Sequence, residues 1–180
     1  MKKDLLALAA AILLIVFIAT GTKIQSVEDY YLTHIDDITE DSQTITISID
    51  CSTVLSNLDK LDPALNDEKY VPADGIILAP SRYVLRPGDT VFDVLVRTAK
   101  HNRIHVEYRG AGGVGGAYVA GINQLYEYSC GALSGWLFRV NGGTPGHGSG
   151  KYELQDGDVI EWLYSCDLGR DIAGYPEEQA

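Results

Sequence analysis

Gly135-Trp136-Leu137-Phe138-Arg139-Val140-Asn141-Gly142, then a glycine-rich stretch, then Tyr152-Glu153-Leu154-Gln155-Asp156-Gly157-Asp158-Val159-Ile160-Glu161-Trp162 decide how this chain reads. Both ends of the stretch carry alternating apolar residues, the period of a strand with one buried face. Asn141-Gly142 and Asp156-Gly157 are pairs that accept the positive φ a tight turn needs. The segment therefore predicts strand, long loop, strand, with one tryptophan on each strand. The last strand, Val159 to Cys166, is apolar at most positions and is expected at the centre of a sheet.

Working outward, Thr44-Ile45-Thr46-Ile47-Ser48-Ile49-Asp50-Cys51 alternates with period two and predicts a half-buried strand. Ser52 is placed to cap a short helix with Leu55, Leu58 and Leu61 on one face, ended soon after by Pro63. Two short strands are expected at Ile76–Ala79 and Tyr83–Arg86, the second closed by Pro87-Gly88. Thr90-Val91-Phe92-Asp93 has the form of a capping box, with Asp93 at the third helical position. Val91, Val94, Leu95 and Thr98 then recur at helical spacing, and His101-Asn102 marks the end of one long helix. Strand patterns return at Ile104–Tyr108 and, more weakly, at Ala117–Leu125. One helix covering a mixed sheet, with the first and last strands side by side in its middle, is a β-grasp-like α+β arrangement.

The chain has 180 residues and a net charge of −11, with 46% hydrophobic and 22% charged residues. A domain of this length buries a core without needing disulfides. The acidic surface opposes binding to nucleic acid and to anionic headgroups. Met1-Lys2-Lys3-Asp4 followed by an apolar run from Leu5 to Ala19 predicts an export signal or membrane anchor over residues 1–21. An acidic linker follows over 22–43, the domain over 44–171, and a disordered tail over 172–180. The expected location is therefore secreted or membrane-anchored at the cell surface, with membrane contact through the N-terminal segment alone. Export permits disulfides. Cys51, Cys130 and Cys166 predict one bridge and one free thiol, with three pairings open.

No catalytic set emerges, so the chain reads as a non-enzyme. Gly110-Ala111-Gly112-Gly113-Val114-Gly115 has the spacing of a dinucleotide loop. Strand character resumes at Ala117, however, where such a loop would open a helix. No Cys-x-x-Cys pair is present, His101 and His105 fall on different elements, and no metal site is expected. Asp156 and Asp158 are accounted for by turn chemistry. Asp167, Arg170 and Asp171 suggest a local ion pair. The aromatics of the last third are the stronger lead. Trp136 and Phe138 share one strand face, and Trp162 and Tyr164 share another. Either both pairs lie under the helix as core, or some line a groove beside the glycine loops that suits a flat amphipathic ligand.

Four segments together resemble the transcobalamin-like C-terminal domain family. They are Gly88-Asp89-Thr90-Val91-Phe92-Asp93-Val94-Leu95, Tyr118-Val119-Ala120-Gly121-Ile122-Asn123-Gln124-Leu125, Ser134 through Gly142, and Tyr152 through Asp158. In animal cobalamin carriers this domain is a lid over one face of the corrin ring. The resemblance implies a β-grasp-like fold and an extracellular module that binds cobalamin or another corrinoid and requires no cofactor. Trp136, Phe138 and His147 are the implied contact residues, with Tyr118 and Asn141 beside them. The carriers' helical barrel is absent here, so a second envelope protein is expected to complete the site. The alternative is a structural or adhesive surface domain without a small ligand. Relatives carry a fourth cysteine near the position of Ser149, which implies a lost bridge partner and leaves open which cysteine is orphaned.

Overall fold

The computed structural model describes residues 37–110 and 116–175. The expected export segment, most of the expected linker, part of the Gly110–Gly116 loop and residues 176–180 lie outside the described residues. Within them are strands β1 (Thr44–Asp50) and β2 (Ile76–Val84), helix α1 (Val91–Asn102), and strands β3 (Val106–Arg109), β4 (Tyr118–Ile122), β5 (Leu125–Tyr126), β6 (Gly135–Val140) and β7 (Val159–Ser165). No helix among the described residues is long and apolar enough to cross a membrane.

The architecture is mixed α+β: one helix and two sheets rather than the single sheet the sequence suggested. The larger sheet has the order β2-β1-β7-β6, and β3-β4-β5 form a separate one. First and last strands run parallel at the centre of the larger sheet, with Ile47 beside Ile160 and Ile49 beside Trp162. The alternation of β1 puts Ile45, Ile47 and Ile49 on one face, and Ile160, Trp162 and Tyr164 of β7 share it. Antiparallel β6 adds Trp136 opposite Tyr164, Phe138 opposite Trp162 and Val140 opposite Ile160. Val91, Val94 and Leu95 of α1 join the same buried cluster.

The helix starts as its sequence predicts. The Thr90 side chain accepts from the Asp93 N–H and Asp93 accepts from the Thr90 N–H, so two orphan donors are satisfied reciprocally. Arg97 then anchors the helix to the end of β2, donating to the Val84 carbonyl and pairing with Asp89 at 2.7 Å. Two hydrogen bonds tie the sheets together. Trp136 Nε1 donates to the Leu125 carbonyl at 2.7 Å, and the Tyr164 hydroxyl donates to the Tyr126 backbone carbonyl at 2.7 Å.

Three local expectations change. The two short strands around Pro80 are one strand, β2. It is an edge strand, where a missing N–H need not cost a ladder bond. The helix expected after Ser52 is a 3-10 turn, Ser52–Ser56, whose buried residue is Val54; Leu55 and Leu58 are exposed, and only Leu61 of the expected face is buried. A 3-10 turn closes every three residues, so helical spacing picks the wrong face. The weak strand Ala117–Leu125 is a hairpin. Asn123 and Gln124 both take positive φ between β4 and β5, and Gly121 lies where any Cβ would stand 2.6 Å from the Tyr126 ring. Cys51, Cys130 and Cys166 are all buried, and none is bridged in this structure.

Candidate functional site

β6 is an edge strand; of its aromatic side chains Trp136 is buried and Phe138 is half-buried. A cleft of about 170 Å³ opens there. Trp136, Phe138 and Trp162 line it, along with Tyr118 and Val119 of β4, Thr144, Pro145 and Ser149 of the loop after β6, and Tyr175. The rings pack in pairs. Phe138 and Trp162 have centroids 5.4 Å apart at 34°, and Trp136 meets Tyr164 edge-on at 5.2 Å.

The loop wall is held from both ends. Ser149 Oγ donates to the Ala117 carbonyl at 3.4 Å. Beside it, a Cβ at Gly150 would stand 3.1 Å from the Ala117 nitrogen, so the loop approaches β4 too closely for a side chain there. Further on, the Val91 N–H donates to the Tyr152 carbonyl and the Leu154 N–H to that of Asp89, fixing the loop's far end on the start of α1.

Two residues lining this site, Trp162 through Nε1 and Thr144 through Oγ1, each hold a buried polar atom without a hydrogen-bond partner. Trp162 is 2% exposed, and its indole nitrogen Nε1 is buried with no hydrogen-bond partner, whereas Trp136 Nε1 is satisfied by Leu125. A buried N–H without an acceptor costs free energy, and an acceptor supplied from outside removes that cost. At the rim, Tyr118 is 51% exposed and its hydroxyl donates to Glu127 Oε2 at 2.6 Å. That bond, with a smaller contribution from burial, pushes its pKa up to about 12. Burial likewise raises the Tyr175 pKa. A second cleft of about 180 Å³ lies alongside, and Tyr118, Trp136 and Leu137 border both.

Of the five contact residues read from the sequence, the structure brings Trp136, Phe138 and Tyr118 together. His147 is exposed and stacks on Tyr152 at 5.6 Å, away from the cleft lining. Asn141 closes the turn after β6 with φ +53, donating to Asp158 Oδ1 and accepting from the Val159 N–H. Its side chain is committed to the turn. Asp158 also accepts from the Gln155 N–H and Asp156 accepts from the Thr44 N–H, as turn residues do. Arg170 pairs with Asp167 at 2.6 Å. Among the described residues, no group of three or more His, Cys, Asp or Glu could hold a metal.

The sequence did not point to Tyr175, Thr144 or Ser149. Tyr175 fell in the expected tail, yet Ile172 is buried and the Ala173 carbonyl accepts from Arg139, so the chain is packed as far as the cleft. Thr144-Pro145 is the one non-glycine pair in a run of glycines, a signal that the loop is fixed at that point.

Residues 88–165 match the family DUF4430, a domain of unknown function. The matched stretch contains every segment on which the transcobalamin-like resemblance rests. No curated protein matches the chain. Among solved structures it is similar to haptocorrin in complex with Cbi, with a TM-score of 0.45 and 15% identity, over 74% of this chain and 27% of that one. This chain therefore spans about a quarter of the haptocorrin chain. It is also similar to a protein from Ruminococcus gnavus ATCC 29149 described as metal-binding, with a TM-score of 0.40 and 12% identity, over 68% of this chain and 96% of that one.

Proposed function

We infer that this is a non-catalytic, extracellular ligand-binding module on a β-grasp-like frame, and that the cleft beside β6 seats the edge of an amphipathic small molecule. One observation carries the reading: Trp162 helps line an aromatic cleft, and its indole N–H is buried with no partner of its own. The rings supply apolar contact area, and the N–H asks for an acceptor oxygen from the ligand. A corrinoid offers both, through its ring edge and its peripheral amides, which agrees with the resemblance drawn from the sequence. A cleft of about 170 Å³ takes only part of such a ring. Affinity is then modest unless a second envelope protein covers the remainder. Supporting the non-catalytic reading, the carboxylates near the loop, Asp156 and Asp158, are engaged in backbone and side-chain bonds that hold the turn.

Titration with hydroxocobalamin, followed by its absorbance bands and by calorimetry, tests this. Saturable binding is expected; no signal up to about millimolar ligand rejects the corrinoid reading. A His147→Ala variant is expected to give the same spectra as the parent chain, because His147 lies outside the cleft lining. The second reading, a structural or adhesive domain, draws on the deep burial of Trp162 and Tyr164 and on the bonds from Trp136 and Tyr164 to the second sheet. A flat titration favours it.

A further inference from the structure

We propose that Cys130 and Cys166 are a disulfide-forming pair and that Cys51 is the orphan thiol. Both cysteines line one cleft, and each thiol lies close enough to the other to affect its ionisation. Both face the turn after β1: Cys130 Sγ lies 3.4 Å from the Asn57 carbonyl oxygen, and Cys166 Sγ lies 3.9 Å from Thr53 Oγ1. Backbone pairing sets this up. Gly135 pairs with Ser165, the Cys130 N–H donates to Ser134 Oγ, and the Leu168 N–H donates to the Leu133 carbonyl. The loop carrying Cys130 is thus folded back over the end of β7, where Cys166 begins the next turn. The pair lies on a shared cleft with Asn57, Lys60 and Asp171.

Cys51 has different neighbours. Its N–H donates to the Gly75 carbonyl, and the charges acting on its thiol are those of Asp50 and Asp74. Elimination and contact therefore select one of the three pairings.

In the reaction two S–H bonds break and one S–S bond forms. The oxidant is a small-molecule disulfide: one cysteine thiolate attacks it and releases the first small thiol, the second cysteine displaces the other, and the oxidant's S–S bond, both electrons and both protons are accounted for in the two small thiols released. Burial pushes the Cys166 pKa up to about 12 and raises that of Cys130. In the folded domain little thiolate is available to attack, so the bond forms while the chain is still folding and then resists exchange. This inference is independent of any ligand.

The test is oxidative refolding of the full chain with glutathione disulfide, then alkylation under denaturing conditions, proteolysis and mass spectrometry. The expected result is a linked Cys130–Cys166 peptide with alkylated Cys51. Closing a loop of this length raises Tm by about 10 °C over the reduced chain. A Cys51→Ser variant keeps both the linked peptide and the shift, whereas Cys130→Ser loses both and becomes indifferent to reductant. A link to Cys51, three alkylated thiols after oxidation, or a reductant-sensitive Tm in Cys130→Ser would each overturn the assignment.

Discussion

At the centre of the larger sheet, Ile47, Ile49, Ile160 and Trp162 lie between two neighbouring strands each, and none is more than 2% exposed. At the β6 edge of the same face, Trp136 is 8% exposed, Phe138 is half-buried, and both border the cleft. Both groups are large apolar side chains on one face of the sheet. What differs is the number of neighbours. A central strand covers its side chains from both sides, whereas an edge strand leaves one flank to be closed by a loop or a ligand. The row of aromatics is thus core at one end and accessible surface at the other. The two readings of these rings that the sequence left open each hold for part of the row.

Four variants or conditions separate the ends. Trp162→Ala should be the most damaging, because it removes the largest of the fully buried side chains. A loss of about 3–5 kcal/mol in urea unfolding is expected, and a loss below about 1 kcal/mol would break the comparison. Next comes Arg97→Met, which leaves Asp89 without its partner at a position where both side chains are close to nine-tenths buried. About 2 kcal/mol should be lost by the same measurement, less than for a fully enclosed pair because some solvent reaches it. Phe138→Ala, at the edge, should cost about 1–2 kcal/mol of stability, well short of Trp162→Ala, yet remove most of the ligand response. Equal losses of stability for the two would place Phe138 in the core.

Alkaline pH should give the smallest effect. Burial raises the Tyr164 pKa and the bond to Glu127 raises that of Tyr118 to about 12. Both hydroxyls are then harder to ionise in the folded chain than in the unfolded one. Their contribution is fully present below the unfolded value near pH 10 and is lost as pH rises through and beyond it. Tm should fall between about pH 9 and about pH 11. Tyr118→Phe should remove only a small part of that fall, since its ring is half exposed. A Tm that rises over this interval would contradict the assignment.

The frame was legible because its signals are local. Alternation fixed β1, β6 and β7, and Thr90 with Asp93 fixed the start of α1. Asn141-Gly142 fixed the turn after β6, where both residues take positive φ. Illegible parts depend on contacts between distant residues. The Asn123-Gln124 turn lacks the usual glycine; the glycine of this hairpin is Gly121, two residues before the turn, where the Tyr126 ring lies against the backbone. The cleft was half legible. Trp136, Phe138 and Tyr118 follow from strand pattern, but Tyr175 reaches the site only because Ile172 and Ala173 pack back against the sheet. His147 looked available because it sits among glycines; nothing local shows that its ring stacks on Tyr152.

The chain contains two tryptophans, one with a satisfied indole N–H and one without. A proton–nitrogen correlation spectrum recorded during hydroxocobalamin titration reports on both at once. The account predicts a saturable displacement of the Trp162 indole signal as it gains an acceptor, larger than any change at Trp136, whose bond to Leu125 persists. A spectrum in which neither indole signal moves at saturating ligand, or in which only that of Trp136 does, would contradict it.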